Sequence, residues 1–262
     1  MVAPAPVSAL LHAVAVVKAG AFGIVRIVYD VFGVEYAAEL GVTLPLAVLA
    51  AFTILYGSVR ALFQDNLKRR LAFSTVSQVS YITLGVAIAG PIATIGGLVH
   101  LVHQGFMKIT LFFCAGNYAE SAGLHQVSEL AGIGRRMPWT TAAFTLAAFG
   151  MIGMPPMAGF VSKWYLGLGG LEVGQDWVLL VLAGSSILNA AYFLPIVRTA
   201  WFDEPSDERI RSVGPGGLES PLMLLLPPLA TVAAALVWGL FATMPGTPLD
   251  WVQFIASRKY GE

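Results

Sequence analysis

Apolar residues come in long runs, at about 5–29, 43–63, 71–90, 91–119, 138–153, 156–171, 177–201 and 221–243, parted by short stretches that hold nearly all the charge. A helix of about 20 apolar residues matches the hydrocarbon core of a bilayer, and lipid supplies no water to satisfy the edge of an open sheet. The pattern therefore predicts an all-α integral membrane protein with about eight transmembrane helices, multi-pass in the cell membrane. The connections at 30–41, 64–70, 120–137, 172–176 and 202–220 mark the two membrane faces. Lys68, Arg69, Arg70, Arg135 and Arg136 favour one side for two of them, whereas Arg198, Arg209 and Arg211 lie among acids, so charge assigns no orientation. The stretch from Trp139 to Gly170 is too long for one span and short for two. Met154-Pro155-Pro156 interrupts it, which predicts a broken or re-entrant helix pair. The first run opens Ala3-Pro4-Ala5-Pro6 and carries Ser8 and His12, so it is expected to be irregular as well.

Composition narrows the function. Of 262 residues 57% are hydrophobic and 11% charged, against about a quarter charged in soluble domains, which excludes a water-soluble enzyme. Fifteen basic and fifteen acidic residues give no net charge, so no basic field exists to hold nucleic acid. The single cysteine, Cys114, excludes an internal disulfide, an iron–sulfur cluster or a Cys-rich zinc site built from this chain alone. Any redox catalysis would reside in partner subunits, and the chain itself is expected to hold no cofactor and no metal. No basic segment precedes the first apolar run and no A-x-A-like site follows it, so no cleavable signal peptide is expected.

The placement of the lysines is the strongest functional signal. There are five, and Lys18, Lys108 and Lys163 fall within apolar runs. A lysine at mid-membrane costs a few kcal/mol and normally faces a polar interior; the alternative is a side chain that snorkels to the headgroups. His100, Gln104 and Lys108, at i, i+4 and i+8, share one helix face over about 80° and about 12 Å. Such a stripe can order water and pass protons, because histidine exchanges its proton near neutral pH and a lysine shielded from water gives its proton up more readily. His103 lies about 60° to one side and could branch the stripe, or these histidines could simply bond across a helix interface. Ser74, Ser77, Gln78 and Tyr81 form a second polar face, and Ser185, Asn189 and Tyr192 a third; packing between helices accounts for both as readily as a hydrated path. All fifteen acids lie in or beside the loops, so no buried carboxylate is visible to modulate the lysines.

Five motifs, in order, resemble one family. Ala3-Pro-Ala-Pro-Val-Ser-Ala-Leu-Leu-His12 with Lys18, Asp65-Asn-Leu-Lys-Arg-Arg-Leu-Ala-Phe-Ser-Thr-Val-Ser-Gln78, the segment His103 to Lys108, Met137-Pro-Trp-Thr140, and Gly153-Met-Pro-Pro-Met-Ala-Gly-Phe-Val-Ser-Lys-Trp164 are similar to the proton-translocating antiporter-like subunits. That superfamily includes the large subunits of Mrp-type Na⁺/H⁺ antiporters, respiratory complex I and membrane-bound hydrogenases; around Arg135 to Thr140 and Ser162 to Trp164 the likeness is greatest to the Mrp D-type subunit. The resemblance implies a fourteen-helix subunit of two inverted five-helix repeats, each with a broken helix and a buried lysine. Lys18 then corresponds to the lysine of the first broken helix, Lys108 to the central lysine of the second half-channel, Lys163 to the lysine at the second break, and His103 to a histidine of the central motif. Position 104 is Gln where relatives often have His, so it orients water without carrying a proton.

On this resemblance the chain is half of an inverted-repeat antiporter-like fold. Residues 1–63 are the last two helices of the first repeat, 64–201 the second repeat with its proton half-channel, and 202–262 a loop, a final helix and a tail. The first six helices of the pattern, with the glutamate that pairs with the lysine matched by Lys18, are expected from a partner, whether through a split gene, a misassigned start or a truncated sequence. The leading expectation is a membrane subunit that moves protons, alone or against Na⁺, along Lys18, Lys108, Lys163 and His103, with His12, His100, Gln104, Ser74, Ser77 and Gln78 in support and sister membrane subunits as partners. The alternatives are a membrane subunit of a quinone-linked or hydrogen-evolving oxidoreductase, and an inactive scaffold, which would gain nothing from three costly lysines.

Overall fold

A computed structural model describes residues 15–205 and 208–260, together with Val7 and Leu11. The chain runs as α1 (Val16–Arg26), continued by a π-helical turn (Ile27–Phe32), α2 (Val34–Glu39), α3 (Thr43–Leu62), α4 (Leu67–Ala87), α5 (Pro91–Ala122), α6 (Pro138–Ile152), α7 (Ala158–Glu172), α8 (Trp177–Phe202), α9 (Glu208–Ser212), α10 (Leu222–Leu240) and α11 (Pro248–Tyr260). Among the described residues α3, α5, α8 and α10 are each long and apolar enough to cross a membrane unaided. The other spans read from the sequence are shorter pieces or carry a polar face. The irregularity expected around Ala3 to Pro6, Ser8 and His12 lies outside the described residues; a π-helical turn that the sequence did not announce follows Arg26.

Helix α5 is the axis of the molecule. It starts on Gly90-Pro91, where proline needs no amide partner, and stops at Gly123, whose φ of 70° ends the helix in the left-handed region. Its 32 residues make about 48 Å of helix. Two-thirds of its apolar stretch (67%) is buried, against 22–39% in the other three long helices. It is buried because α4, α6, α7, α10 and α11 all pack on it. α3 lies outside, on α4 and α8, and turns much of its apolar surface outward, including Leu49 and Phe52, as a lipid-facing helix does.

The break expected at Met154 separates α6 from α7. α6 ends at Gly153, with φ 94°, whose amide returns to Phe149 and Gly150, and four residues pass before α7 begins at Ala158. At the other end of α6, Glu219 receives the Trp139 and Thr140 amides and the Thr140 hydroxyl, a carboxylate capping a helix N-terminus. Beyond residue 243 the chain forms α11, which docks on α5.

Candidate functional site

Lys108 sits at the centre of α5 with no exposed surface. Its ammonium donates to Ser74 Oγ at 2.6 Å and to Leu71 O at 3.1 Å, both on α4, and lies 5.8 Å from the centre of the Phe193 ring. Such a position leaves no route for snorkelling. Ser74 Oγ is in turn 2.8 Å from the Tyr192 hydroxyl, which donates to Asn189 Oδ1 at 2.5 Å. Tyr192 and Asn189 of the α8 stripe therefore join the hydrogen bonds around Lys108, whereas Ser185 accepts from the Tyr81 hydroxyl at 2.6 Å.

Lys163, near the start of α7, reaches back across the break. Its ammonium donates to the carbonyls of Met151 (3.1 Å) and Ile152 (2.8 Å) and to Ser186 Oγ (3.0 Å). The last carbonyls of any helix lack intrahelical partners and carry the negative end of its dipole, so α6 offers a cation site where it stops. The side-chain stem crosses Gly153, where a Cβ would lie 2.8 Å from Lys163 Cδ. Lys163 is 8% exposed and lines a cleft of about 500 Å³ with Trp164, Gly167, Leu179 and Ser186.

Lys18 packs against the middle of α5. It donates to Leu101 O at 2.6 Å, and it fits there because residue 105 is glycine: a Cβ at Gly105 would stand 2.2 Å from Lys18 Nζ. It is 7% exposed and borders a second cleft, of about 590 Å³, lined by Phe22, Arg26, Tyr29, Leu98 and Lys259. The two clefts share no residue.

Between these lysines lie the polar residues of α4 and α5. His100 Nδ1 and Ser162 Oγ are 2.7 Å apart, and Ser162 gives its own proton to Gly159 O, which makes Nδ1 the donor. His100 Nε2, both ring nitrogens of His103, and the side-chain amides of Gln78 and Gln104 are buried with no hydrogen-bond partner among the described residues. Backbone of Gln78 lies near His100 and that of Ala158 near His103, outside hydrogen-bond geometry. The His103 ring stacks on Trp238. Ser77 stands apart: it bonds Ser58 of α3 at 2.8 Å, in a contact so close that a Cβ at Gly57 would lie 2.8 Å from the Ser77 amide. That residue serves helix packing. Sequence reasoning missed Gly105, Ser162 and Ser186 as site residues; for Gly105 no sequence signal exists, since only the fold brings it to Lys18.

Residues 1–189 match the family described as NADH:quinone oxidoreductase/Mrp antiporter, TM. NADH-quinone oxidoreductase subunit N of Desulforudis audaxviator (strain MP104C) is 42% identical over 246 residues, covering 91% of this chain and 48% of that protein. NADH-quinone oxidoreductase subunit L of Mycobacterium tuberculosis (strain ATCC 25618 / H37Rv) is 31% identical over 264 residues, covering 97% and 39%. A chain of the Mrp complex from Dietzia sp. DQ12-45-1b superposes with a TM-score of 0.82 at 27% identity, over 93% of this chain and 51% of that one. Respiratory complex I from Thermus thermophilus shares the fold, with a TM-score of 0.76 at 24% identity. The chain thus spans about half, or less, of the length of the relatives it matches. With its buried lysines, its broken helix and this match over most of its length, the chain belongs to the NADH:quinone oxidoreductase/Mrp antiporter transmembrane family, as a multi-pass membrane protein.

Proposed function

We propose that this chain is a proton-translocating membrane subunit of a multi-subunit complex, with Lys108 in the middle of the path and Lys18 and Lys163 at its two ends. The observation that carries the reading is the gradation of access: Lys108 is enclosed, while Lys18 and Lys163 each border an open cleft. The polar atoms of Gln78, His103 and Gln104 and His100 Nε2, which have no partner among the described residues, support it, because a buried polar group without a partner costs about 1–3 kcal/mol, and water can meet it and form the carrier between lysines. His103 joins the relay as a titratable group, and Gln78, Gln104, His100 and Ser74 orient water and protons around it. Ser77 drops out.

Sister membrane subunits complete the site, among them one supplying the remaining helices of the family pattern and a buried glutamate facing Lys18. Protons are the transported ion, with Na⁺ as the exchanged ion if the complex is an antiporter. A second reading, a membrane subunit of a quinone-linked oxidoreductase, is favoured by the names of the relatives at 42% and 31% identity; proton movement is common to both. Co-purifying flavin or iron–sulfur subunits from native membranes separate the two.

The test is transport by the assembled complex in liposomes. Lys108→Ala and Lys108→Arg should both abolish proton movement with assembly unchanged, because a guanidinium does not release its proton, and Lys163→Gln should do the same. Near-normal transport by Lys108→Arg would make Lys108 a fixed charge and end the relay reading.

A further inference from the structure

We propose that Tyr192, positioned by Asn189, couples the proton on Lys108 to the proton on Lys163 through one directed line of hydrogen bonds; this rests on the proton-transport reading above. The line crosses five helices. Lys108 Nζ donates to Ser74 Oγ (2.6 Å), Ser74 Oγ meets the Tyr192 hydroxyl (2.8 Å), Tyr192 donates to Asn189 Oδ1 (2.5 Å), and Asn189 Nδ2 donates to Met151 O (3.1 Å). Met151 O is also an acceptor for Lys163 Nζ (3.1 Å). Both lysines thus act on one carbonyl, one directly and one through three side chains. Ser74, Lys108, Asn189 and Tyr192 have no exposed surface, so water does not compete for these groups from outside. Tyr192 is held at both ends: its ring packs on Phe193, and its own carbonyl receives Arg70 Nη1 at 3.0 Å.

The direction of the line follows from what each group can do. An ammonium only donates, so the Ser74 oxygen must accept from Lys108. Tyr192 has one hydroxyl proton, already given to Asn189, so the Ser74 proton points to the Tyr192 oxygen. With Lys108 charged, every hydroxyl in the line points towards Asn189. Bonds aligned in this way strengthen one another, so Asn189 holds Met151 O more firmly and leaves it a weaker acceptor for Lys163. A neutral Lys108 has a lone pair. Ser74 can then turn its proton to Lys108, Tyr192 can turn its own to Ser74, and Asn189 loses its donor. Met151 O returns to Lys163. An amide and a peptide carbonyl have no transferable proton to offer, so the line passes orientation, and the proton itself takes another route. Arg70 and Tyr81 of α4 and His100 of α5 are the other titratable groups around these residues; Tyr81 lies 5.4 Å beneath the Lys163 ammonium.

The experiment uses the assembled complex in liposomes and records transport rate against pH. Tyr192→Phe removes one hydroxyl and keeps the ring. It should assemble normally, transport about tenfold more slowly, the worth of one hydrogen bond, and show a displaced pH profile. Ser74→Ala cuts the same line at another point and should produce the same displacement. The decisive outcome is the double variant, which should be no slower than either single one, because a line already cut has nothing further to lose; two separate packing defects would multiply. Wild-type rate and profile in Tyr192→Phe, or losses that multiply in the double variant, would overturn the coupling. Should Tyr192→Phe fail to assemble, an unchanged profile in Ser74→Ala overturns it equally. Lys108→Gln and Lys163→Gln serve as controls: if both still transport, the proton-transport reading fails first, whereas if both are dead and the Tyr192→Phe profile is unmoved, only the coupling fails.

Discussion

Replacing Gly105 by alanine tests whether the place of the Lys18 ammonium matters. The new methyl carbon would stand 2.2 Å from Lys18 Nζ and 3.6 Å from Cε, and no other atom of the described residues outside its own stretch of helix lies within 4 Å. Non-bonded heavy atoms rest at about 3.5 Å or more, so the ammonium must retreat by about 1.3 Å, and its 2.6 Å bond to Leu101 O breaks or swings aside. The atom displaced is the free end of a flexible side chain, so the fold hardly resists. Alanine in place of glycine within a helix even adds about 0.5–1 kcal/mol. What is lost is a hydrogen bond from a charged group, about 1.5–3 kcal/mol, which as a barrier amounts to about ten- to 150-fold in rate. The prediction is therefore normal assembly, unchanged or slightly raised melting temperature, and transport down by at least about tenfold. Proton uptake by liposomes holding the assembled complex measures the rate, and a thermal melt of the same sample measures the fold. Wild-type transport by an assembled Gly105→Ala complex would refute the reasoning, because a lysine that tolerates such a shift is not held for proton exchange with α5.

The same substitution should behave oppositely at Gly159: a Cβ there would lie 1.9 Å from Gly150 O, a backbone atom on the facing helix end, so Gly159→Ala should destabilise by about 1–3 kcal/mol or more and appear as a lowered melting temperature and poor assembly. At the membrane surface, Lys259 of α11 and then Arg26 hold the Asp30 carboxyl below the usual carboxylate range. A depressed carboxylate contributes stability that is fully present above its unfolded value of about 3.9 and is lost as pH falls through its folded value. α11 should therefore stay docked at pH 5 and loosen only below about pH 4, whereas Asp30→Asn should loosen it at every pH; hydrogen exchange of the α11 amides reads both.

Much of the fold was legible because bilayer physics leaves few choices. The runs at 43–63, 91–119, 177–201 and 221–243 correspond to the four helices that, among the described residues, are long enough to span, and Pro155 and Pro156 mark the break because neither can supply an amide to continue a helix. α11 was invisible to hydropathy: Asp250, Arg258 and Lys259 dilute a narrow apolar face of Leu249, Val252 and Ala256. Within the site, spacing placed Ser74, Ser77 and Gln78 on one face but could not separate them. Their fates diverge because of what stands opposite, Lys108 and Tyr192 for Ser74, Ser58 for Ser77, and for Gln78 no hydrogen-bond partner among the described residues. Gly105 and the Met151 carbonyl gain their roles only from tertiary contact.

The manner in which the three lysines are held bears on what they can do. Each ammonium is met by carbonyl or hydroxyl oxygens: Leu101 for Lys18, Leu71 and Ser74 for Lys108, and Met151, Ile152 and Ser186 for Lys163. Among the described residues none of the three is paired with a carboxylate. A buried ion pair would fix the charge, since loss of the proton would leave an unpaired anion in low dielectric, at a cost of about 3–5 kcal/mol. Dipoles impose no such lock. A neutral Lys108 can accept from the Ser74 hydroxyl that it formerly donated to, and a neutral Lys163 still has two N–H groups for two carbonyls while its lone pair turns to Ser186. Both protonation states thus keep their hydrogen bonds without rebuilding a helix. That is the property a residue needs if it is to take up and release a proton on every cycle, and a lysine retained only to hold the fold together has no use for it.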